Sequence, residues 1–162
     1  MNIKELYRKI LNEHTVSPIY KRIMSGAQLK MHGVNPSCGD NITLYLDIKD
    51  GLIASGSFDG SGCAISQASV DMMLDLIIGK TKEEALRLAD LFERMIVGSA
   101  SEEEIEDLEE SSALKDISKM PARVKCAELG WRTMKQMLTQ GGNASQIKAT
   151  AQIPDSDHMP NC

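Results

Sequence analysis

The pattern between residues 42 and 58 limits the fold of this chain more than any other. Apolar residues take every second position at its start: Ile42, Leu44, Leu46 and Ile48. That period is typical of a β-strand with one buried face. Asp50 and Gly51 follow, a pair that favours a two-residue hairpin turn, and the alternation resumes up to Phe58. The segment predicts two antiparallel strands, and the weaker alternation over 28–34 predicts a third strand beside them.

Outside this hairpin the apolar residues recur with a helical period. Such segments cover residues 3–11, 65–77, 84–96 and 121–138. The last of them begins with a proline, a residue suited to the first turn of a helix. A chain of 162 residues is long enough for one domain with its own core. We therefore predict an α+β fold, in which a small antiparallel three-stranded sheet packs against a set of helices.

Negative charge is concentrated in one segment, residues 101–116, which hold eight acidic residues and one lysine. The whole chain has a net charge of −5, so the rest of it is slightly positive. Ser101 and Glu104 have the spacing of a helix capping box, which predicts a short solvated helix here. A nucleic-acid-binding protein would show a basic stripe instead, so that class is disfavoured.

Hydropathy and the N-terminal residues predict the cellular location of the protein. No apolar run approaches the roughly 20 residues that a membrane-spanning helix needs. The first ten residues are amphipathic, unlike a signal peptide with its apolar centre. These features predict a cytoplasmic protein. Residues 140–162 are small and polar without periodicity, and they predict a disordered tail.

Four cysteines carry the chemical signal in this sequence: Cys38, Cys63, Cys126 and Cys162. In a reducing cytoplasm they are poor candidates for disulfides and better candidates for metal binding or sulfur chemistry. Asp40 stands two residues after Cys38, so both side chains project to the same side of an extended chain, and Gly39 between them leaves room for a metal.

The second and third cysteines stand at predicted helix starts. Cys63 directly precedes a helix, where main-chain N–H groups and the helix dipole favour a thiolate. Cys126 lies near the start of the last helix, flanked by the positive charges of Arg123 and Lys125. Three thiolates and one carboxylate suit tetrahedral zinc, and the same thiols could hold an iron–sulfur cluster. Spacing alone leaves a third interpretation open, in which each cysteine is a small buried apolar residue or part of a turn.

Three stretches of sequence, in this order, resemble the motifs of the IscU/NifU-type iron–sulfur assembly family. They are NPSCGD at 35–40, GSGCAISQAS at 60–69 and ARVKCAELGW at 122–131. The resemblance covers residues 5–139, so we predict a SufU/IscU-like domain over 1–139. An insertion at about 98–118 is similar to the one that marks the SufU branch. Lys125, where IscU proteins carry histidine, is also similar to SufU.

The resemblance implies a function in iron–sulfur cluster biogenesis. It implies that Cys38, Asp40, Cys63 and Cys126 bind Zn²⁺, with Cys38 as the sulfur acceptor and Arg123 beside it in the transfer. The family's sulfur donor is a SufS-type cysteine desulfurase, a pyridoxal-phosphate enzyme, and the sulfur passes toward an assembly scaffold or apo-proteins. Such a protein is a zinc-dependent sulfurtransferase if it is counted as an enzyme, and otherwise a sulfur carrier.

Two alternatives remain open beside sulfur transfer. The same three cysteines and Asp40 could assemble a labile 2Fe–2S cluster and hand it on, which would make the protein a scaffold. The zinc could also be purely structural, although a closed structural site is more often built from cysteine alone or from cysteine and histidine. Cys162 falls outside the resemblance and is interpreted as adventitious.

Overall fold

The computed structural model describes residues 3–140 and 148–152, which form helices and one sheet. The helices are α1 (Ile3–Val16), α2 (Ala64–Ile77), α3 (Lys82–Ile96), α4 (Glu102–Ile105) and α5 (Pro121–Thr139), with a 3₁₀ segment at Glu106–Lys119. The strands are β1 (Leu29–Asn35), β2 (Asp40–Lys49), β3 (Leu52–Ser61) and β4 (Lys148–Gln152). No described helix combines the length and the apolar character that crossing a membrane requires.

The first three strands form the antiparallel sheet that the alternating pattern predicts. β2 pairs with β3 on one side and with β1 on the other. Asp50 and Gly51 both have positive φ, 54° and 78°, which is the backbone of the primed hairpin turn. The predicted α+β class with an antiparallel three-stranded sheet is confirmed.

A fourth strand differs from the sequence prediction. Residues 148–152 fall in the predicted disordered tail, yet they form β4 and pair with β1 in parallel. Without β4, β1 would be an edge strand with unpaired main-chain groups on its outer side, and such an edge readily accepts a further strand. The short, weakly apolar stretch that supplies it carries no strand signal of its own. The other residues of the predicted tail, 141–147 and 153–162, lie outside the described part of the chain.

The core lies between the sheet and helices α2 and α5. Helix α5 packs on β1 and β2 and also contacts α2 and α3. Its Trp131 is fully buried and stacks on Phe92 of α3, with ring centroids 4.5 Å apart. Helices α2 and α5 therefore pack against each other and against the same sheet.

The acidic insertion is a folded part of this core rather than a solvated helix. Ser101 and Glu104 form the predicted capping box at the start of α4. Beyond it the 3₁₀ segment packs against α3, α2 and α5. Four apolar side chains of the insertion are buried: Ile105, Leu108, Leu114 and Ile117. Sequence reasoning recognised the cap and missed this apolar set, because the density of acidic residues conceals it.

Candidate metal centre

Cys38 and Asp40 lie on a tight connection between β1 and β2. Asn35 ends β1 and pairs directly with Asp40, the first residue of β2. The N–H of Cys38 donates to the carbonyl of Asn35 at 3.3 Å, which closes the turn. Gly39 has φ +70°, and a Cβ there would meet open space. This backbone conformation favours glycine, because few other residues adopt that φ.

The carboxylate of Asp40 is buried and held by three donors. Its Oδ1 accepts from the N–H of Cys63 at 2.8 Å and from the hydroxyl of Ser66 at 3.1 Å. Its Oδ2 accepts from the side-chain amide of Asn35 at 3.1 Å. These bonds fix both oxygens in space. Sequence reasoning selected Asp40 but not the two side chains, Asn35 and Ser66, that orient it.

Cys63 is the N-cap residue of α2. Its sulfur accepts from the N–H of Ser66 at 3.5 Å, so the thiol satisfies one of the unpaired donors at the helix start. A hydrogen bond from Cys126 lowers the pKa of the Cys63 thiol to about 6; burial opposes this effect, and the N–H of Ser66 adds to it. The predicted thiolate at this helix start is thus the form that its surroundings favour.

Cys126 is fully buried in the first half of α5 and contacts the other cysteines. Its sulfur lies 3.0 Å from that of Cys38 and 3.7 Å from the side-chain amide of Asn35. Hydrogen bonding to Cys63 and burial both raise the pKa of the Cys126 thiol well above its ordinary range. Of Cys63 and Cys126, the first therefore loses its proton readily and the second holds its proton strongly, as expected for two thiols joined by one hydrogen bond.

Three of the four predicted metal ligands are brought together. One ligand atom each from Cys38, Asp40 and Cys126 lies within 4.8 Å of the other two. The sulfur of Cys63 does not belong to that group, although its N–H holds Asp40 and its thiol interacts with Cys126. The structure thus presents a preformed set of three ligands with the fourth predicted ligand beside it.

Cys63 and Cys126 are free thiols, as the sequence predicts. Both can therefore lose a proton and bind a metal as thiolates.

Arg123 lies on α5 one turn before Cys126 and is half-buried. Its charge acts on the phenol of Tyr7 on α1. Burial raises the pKa of that phenol, Arg123 lowers it, and the charges of Asp116 and Cys63 raise it. Each of these three charged groups therefore lies within electrostatic range of Tyr7. Arg123 adds positive charge to the edge of the cysteine cluster that faces α1.

Gly62 is a site residue that sequence reasoning quoted only as part of a motif. A Cβ at this position would lie 2.6 Å from Oδ1 of Asp40 and 2.6 Å from Oγ of Ser66. The missing side chain lets the chain before α2 approach the carboxylate closely. The two glycines of the site have different physical reasons: Gly39 permits a turn, and Gly62 permits a contact.

The site combines an α+β domain with a group of cysteines and one carboxylate, where the β1–β2 turn meets the N-terminal parts of α2 and α5. This combination defines a class of small proteins that bind metals or iron–sulfur clusters. The family model for the NifU-like N terminal domain matches residues 6–140. The chain belongs to this family, as the sequence motifs predict.

Relatives in this family carry two kinds of name. The zinc-dependent sulfurtransferase SufU of Bacillus subtilis is 35% identical over 144 residues, covering 88% of this chain and 97% of that protein. The iron–sulfur cluster assembly scaffold protein IscU of Thermotoga maritima is 38% identical over 138 residues, covering 85% and 96%.

A solved structure gives the same comparison in three dimensions. The putative iron–sulfur cluster assembly scaffold protein for the SUF system from Fervidobacterium islandicum superposes with a TM-score of 0.77 at 34% identity, covering 83% of this chain and 97% of that one. The fold and nearly the full length of these proteins are therefore shared with this chain.

Proposed function

We propose that this protein acts in iron–sulfur cluster biogenesis as a zinc-bound sulfur acceptor. In this role it takes persulfide sulfur from a SufS-type cysteine desulfurase and relays it toward cluster assembly. The observation that carries the proposal is the position of Cys38 at the β1–β2 turn, half-exposed, with ligand atoms of Asp40 and Cys126 within 4.8 Å. A thiol in that position can both bind a metal and meet a partner.

The donor set fits zinc. Two sulfurs and one carboxylate oxygen are already grouped, and Cys63 is adjacent and favours its thiolate form. Zinc accepts tetrahedral sets of sulfur and oxygen ligands. Bound zinc would hold the ligating sulfurs as thiolates and supply no redox chemistry of its own. Asp40 would enter such a set through an oxygen whose orientation Asn35, Ser66 and the Cys63 N–H already fix.

Sulfur transfer can be written with the residues of this chain. The reduced Cys38 thiolate attacks the terminal sulfur of a persulfide on the donor. A new S–S bond forms at Cys38, the donor's S–S bond breaks, and the donor cysteine leaves as a thiolate. Arg123 would offer its charge to the anionic persulfide as it arrives.

The second candidate is a scaffold on which a labile 2Fe–2S cluster is assembled. It is favoured by the two grouped cysteine sulfurs and the adjacent Cys63, because thiolates are the usual ligands of such clusters. The buried and well-held carboxylate of Asp40 favours zinc instead, because oxygen ligands are common for zinc. Lys125 and the insertion, both similar to SufU, add support to the transfer role.

Two measurements separate these functions. Reduced, anaerobically purified protein is analysed for zinc, iron and acid-labile sulfide. About one zinc per chain without sulfide supports transfer, and iron with matching sulfide supports the scaffold.

The second measurement follows ³⁵S from labelled cysteine through a SufS-type desulfurase onto this protein. Cys38→Ser is expected to abolish labelling, whereas the matched control Cys162→Ser keeps it. Equal labelling of Cys38→Ser and wild type would overturn the role of Cys38 as acceptor.

A further inference from the structure

A groove of about 310 Å³ runs between α1 and the acidic insertion. One wall is apolar and belongs to α1, where Leu6, Tyr7 and Ile10 line it. Leu6 keeps 47% of its surface exposed, which is high for a large apolar side chain. The opposite wall carries five acidic residues: Glu102, Glu106, Glu109, Glu110 and Asp116. We call this feature the acidic groove.

Part of the groove's charge is neutralised inside the protein. Lys115 pairs with Glu102 at 3.3 Å, Lys119 pairs with Asp116 at 3.3 Å, and His14 binds Glu110. Glu106 and Glu109 are different. Both are exposed, and neither makes an ion pair with any described residue. The carboxylates of Glu106 and Glu109 therefore remain without a paired cation in the described part of the chain, along one edge of the acidic groove.

These carboxylates stand on a rigid wall. The buried apolar residues of the insertion and the capping box at Ser101 hold the segment in one conformation. On the far side Arg94 pairs with Glu104, and Arg87 pairs with Asp107 at 3.3 Å. A partner that binds here would not have to order the segment, and that saving increases affinity.

The groove also adjoins the metal centre. Helix α1, which forms the apolar wall of the groove, packs against α2, the helix that Cys63 caps. The acidic insertion, which forms the opposite wall, packs against α5, the helix that carries Cys126. A protein that brings a persulfide to Cys38 would therefore pass close to the groove.

From this geometry we propose that the acidic groove is a docking surface for the sulfur donor. The donor segment that fits it carries an apolar side chain flanked by lysine or arginine. The apolar side chain would cover Leu6 and Ile10, and the basic residues would face Glu106 and Glu109. This inference rests on the proposed sulfur-transfer function and specifies how its partner is recognised.

The test compares two double variants with the same change of net charge. Glu106→Gln with Glu109→Gln removes the uncompensated charges of the groove. Glu83→Gln with Glu103→Gln removes two exposed carboxylates that do not line the groove and make no ion pair with a described residue. Both are made in the full-length, zinc-loaded protein, and zinc content checks that the metal centre is unaffected.

The binding partner in the test is a purified SufS-type desulfurase, and the readout is its dissociation constant for each variant. At low salt the groove variant is expected to bind roughly three- to tenfold more weakly than wild type, because rim charges mainly steer association. The difference should shrink near about 0.15 M ionic strength, where the Debye length is about 8 Å. The control variant should bind like wild type.

The outcomes distinguish this inference from the function on which it rests. If both double variants bind the desulfurase as wild type does, the groove is not the docking surface and sulfur transfer stands. If both are weakened equally, net charge rather than the groove sets affinity, and the inference is overturned. If the wild-type protein neither binds the desulfurase nor accepts sulfur from it, the docking surface and the proposed function are overturned together.

Discussion

The main-chain N–H of Cys63 donates to Oδ1 of Asp40 at 2.8 Å. This bond joins the residue that caps α2 to the first residue of β2. It turns two separate sequence motifs into one structural unit, and Ser66 strengthens that unit with a second bond to the same oxygen. The position of the carboxylate therefore depends on how α2 begins as well as on the β1–β2 turn.

Removing the hydroxyl that orients Asp40 should weaken metal binding without unfolding the protein. Ser66→Ala deletes the donor 3.1 Å from Oδ1, and the loss of such an orienting contact typically lowers metal affinity by about 10–100-fold. The measurement is competition for zinc against a calibrated chelator in the presence of reductant. Thr81→Ala is the control: it removes a helix-capping hydroxyl from α3, which should cost about 1 kcal/mol of stability, and it should leave zinc affinity unchanged. Equal zinc affinities for Ser66→Ala and wild type would contradict the prediction.

Crowding the carboxylate should have a stronger effect than removing its donor. Gly62→Ala introduces a Cβ that would lie 2.6 Å from both Asp40 and Ser66, so the carboxylate must move away from the ligand position. We expect loss of stoichiometric zinc binding while the circular dichroism spectrum stays that of the folded protein. Gly26→Ala is the matched control, because a Cβ at this position would meet open space. Alanine at the φ of +76° costs about 1 kcal/mol of backbone strain. That control should be slightly less stable and bind zinc normally.

The residues that were found from the sequence and those that were missed differ in physical kind. Asp40, Cys63 and Cys126 could be selected because their side chains have chemistry of their own and stand at element starts. Asn35 and Ser66 act only through Asp40, and that role needs a distance that no local pattern contains.

The fold shows the same division between local and long-range information. The hairpin at Asp50 and Gly51 follows from local alternation and turn chemistry, so the sequence predicts it well. Strand β4 depends on the open edge of β1, more than a hundred residues away in sequence. The apolar residues of the acidic insertion are buried because α2, α3 and α5 pack against them.

Zinc should stabilise the folded protein only when Cys38 is reduced. Ligand that binds the native state raises the free energy of unfolding by about 2.7 kcal/mol at a hundredfold excess over Kd. We therefore expect a rise in Tm on adding zinc to reduced protein and no rise after the cysteines have been oxidised. The check is a thermal melt with and without zinc in both redox states. Cys126→Ser should abolish the zinc-dependent rise, and an unchanged rise in that variant would exclude Cys126 from the ligand set.

A buried histidine joins α1, α2 and the acidic insertion. Nδ1 of His14 lies 2.6 Å from Oδ2 of Asp71, and Nε2 lies 2.6 Å from Oε2 of Glu110. Asp71 is fully buried and also accepts from the N–H of Tyr20 at 2.9 Å. His14 stands in the last turn of α1, where a histidine also suits the helix dipole. The structure makes it the link between two carboxylates that are far apart in the chain.

This link predicts that stability falls as the pH rises above neutrality. Burial by itself lowers the pKa of His14, but the hydrogen bonds to Glu110 and Asp71 outweigh it and raise the pKa above its ordinary value. A group whose pKa is raised by folding adds stability that is fully present below its unfolded pKa, about 6.5, and is lost as the pH rises through the folded pKa. Urea unfolding between about pH 6 and pH 9 should therefore give a decreasing free energy of unfolding over this range.

His14→Gln should remove this pH dependence and lower stability by about 3 kcal/mol near pH 6, because it leaves the buried carboxylate of Asp71 without its cation. Glu110 adds less to that figure, since its side chain is 52% exposed and its charge is screened by water. The control is His32→Gln, which removes a histidine whose ring contacts the hydroxyl of Thr43 at 3.1 Å rather than a carboxylate. If His14→Gln keeps the wild-type slope of stability against pH, the ion pair with Asp71 is not its source.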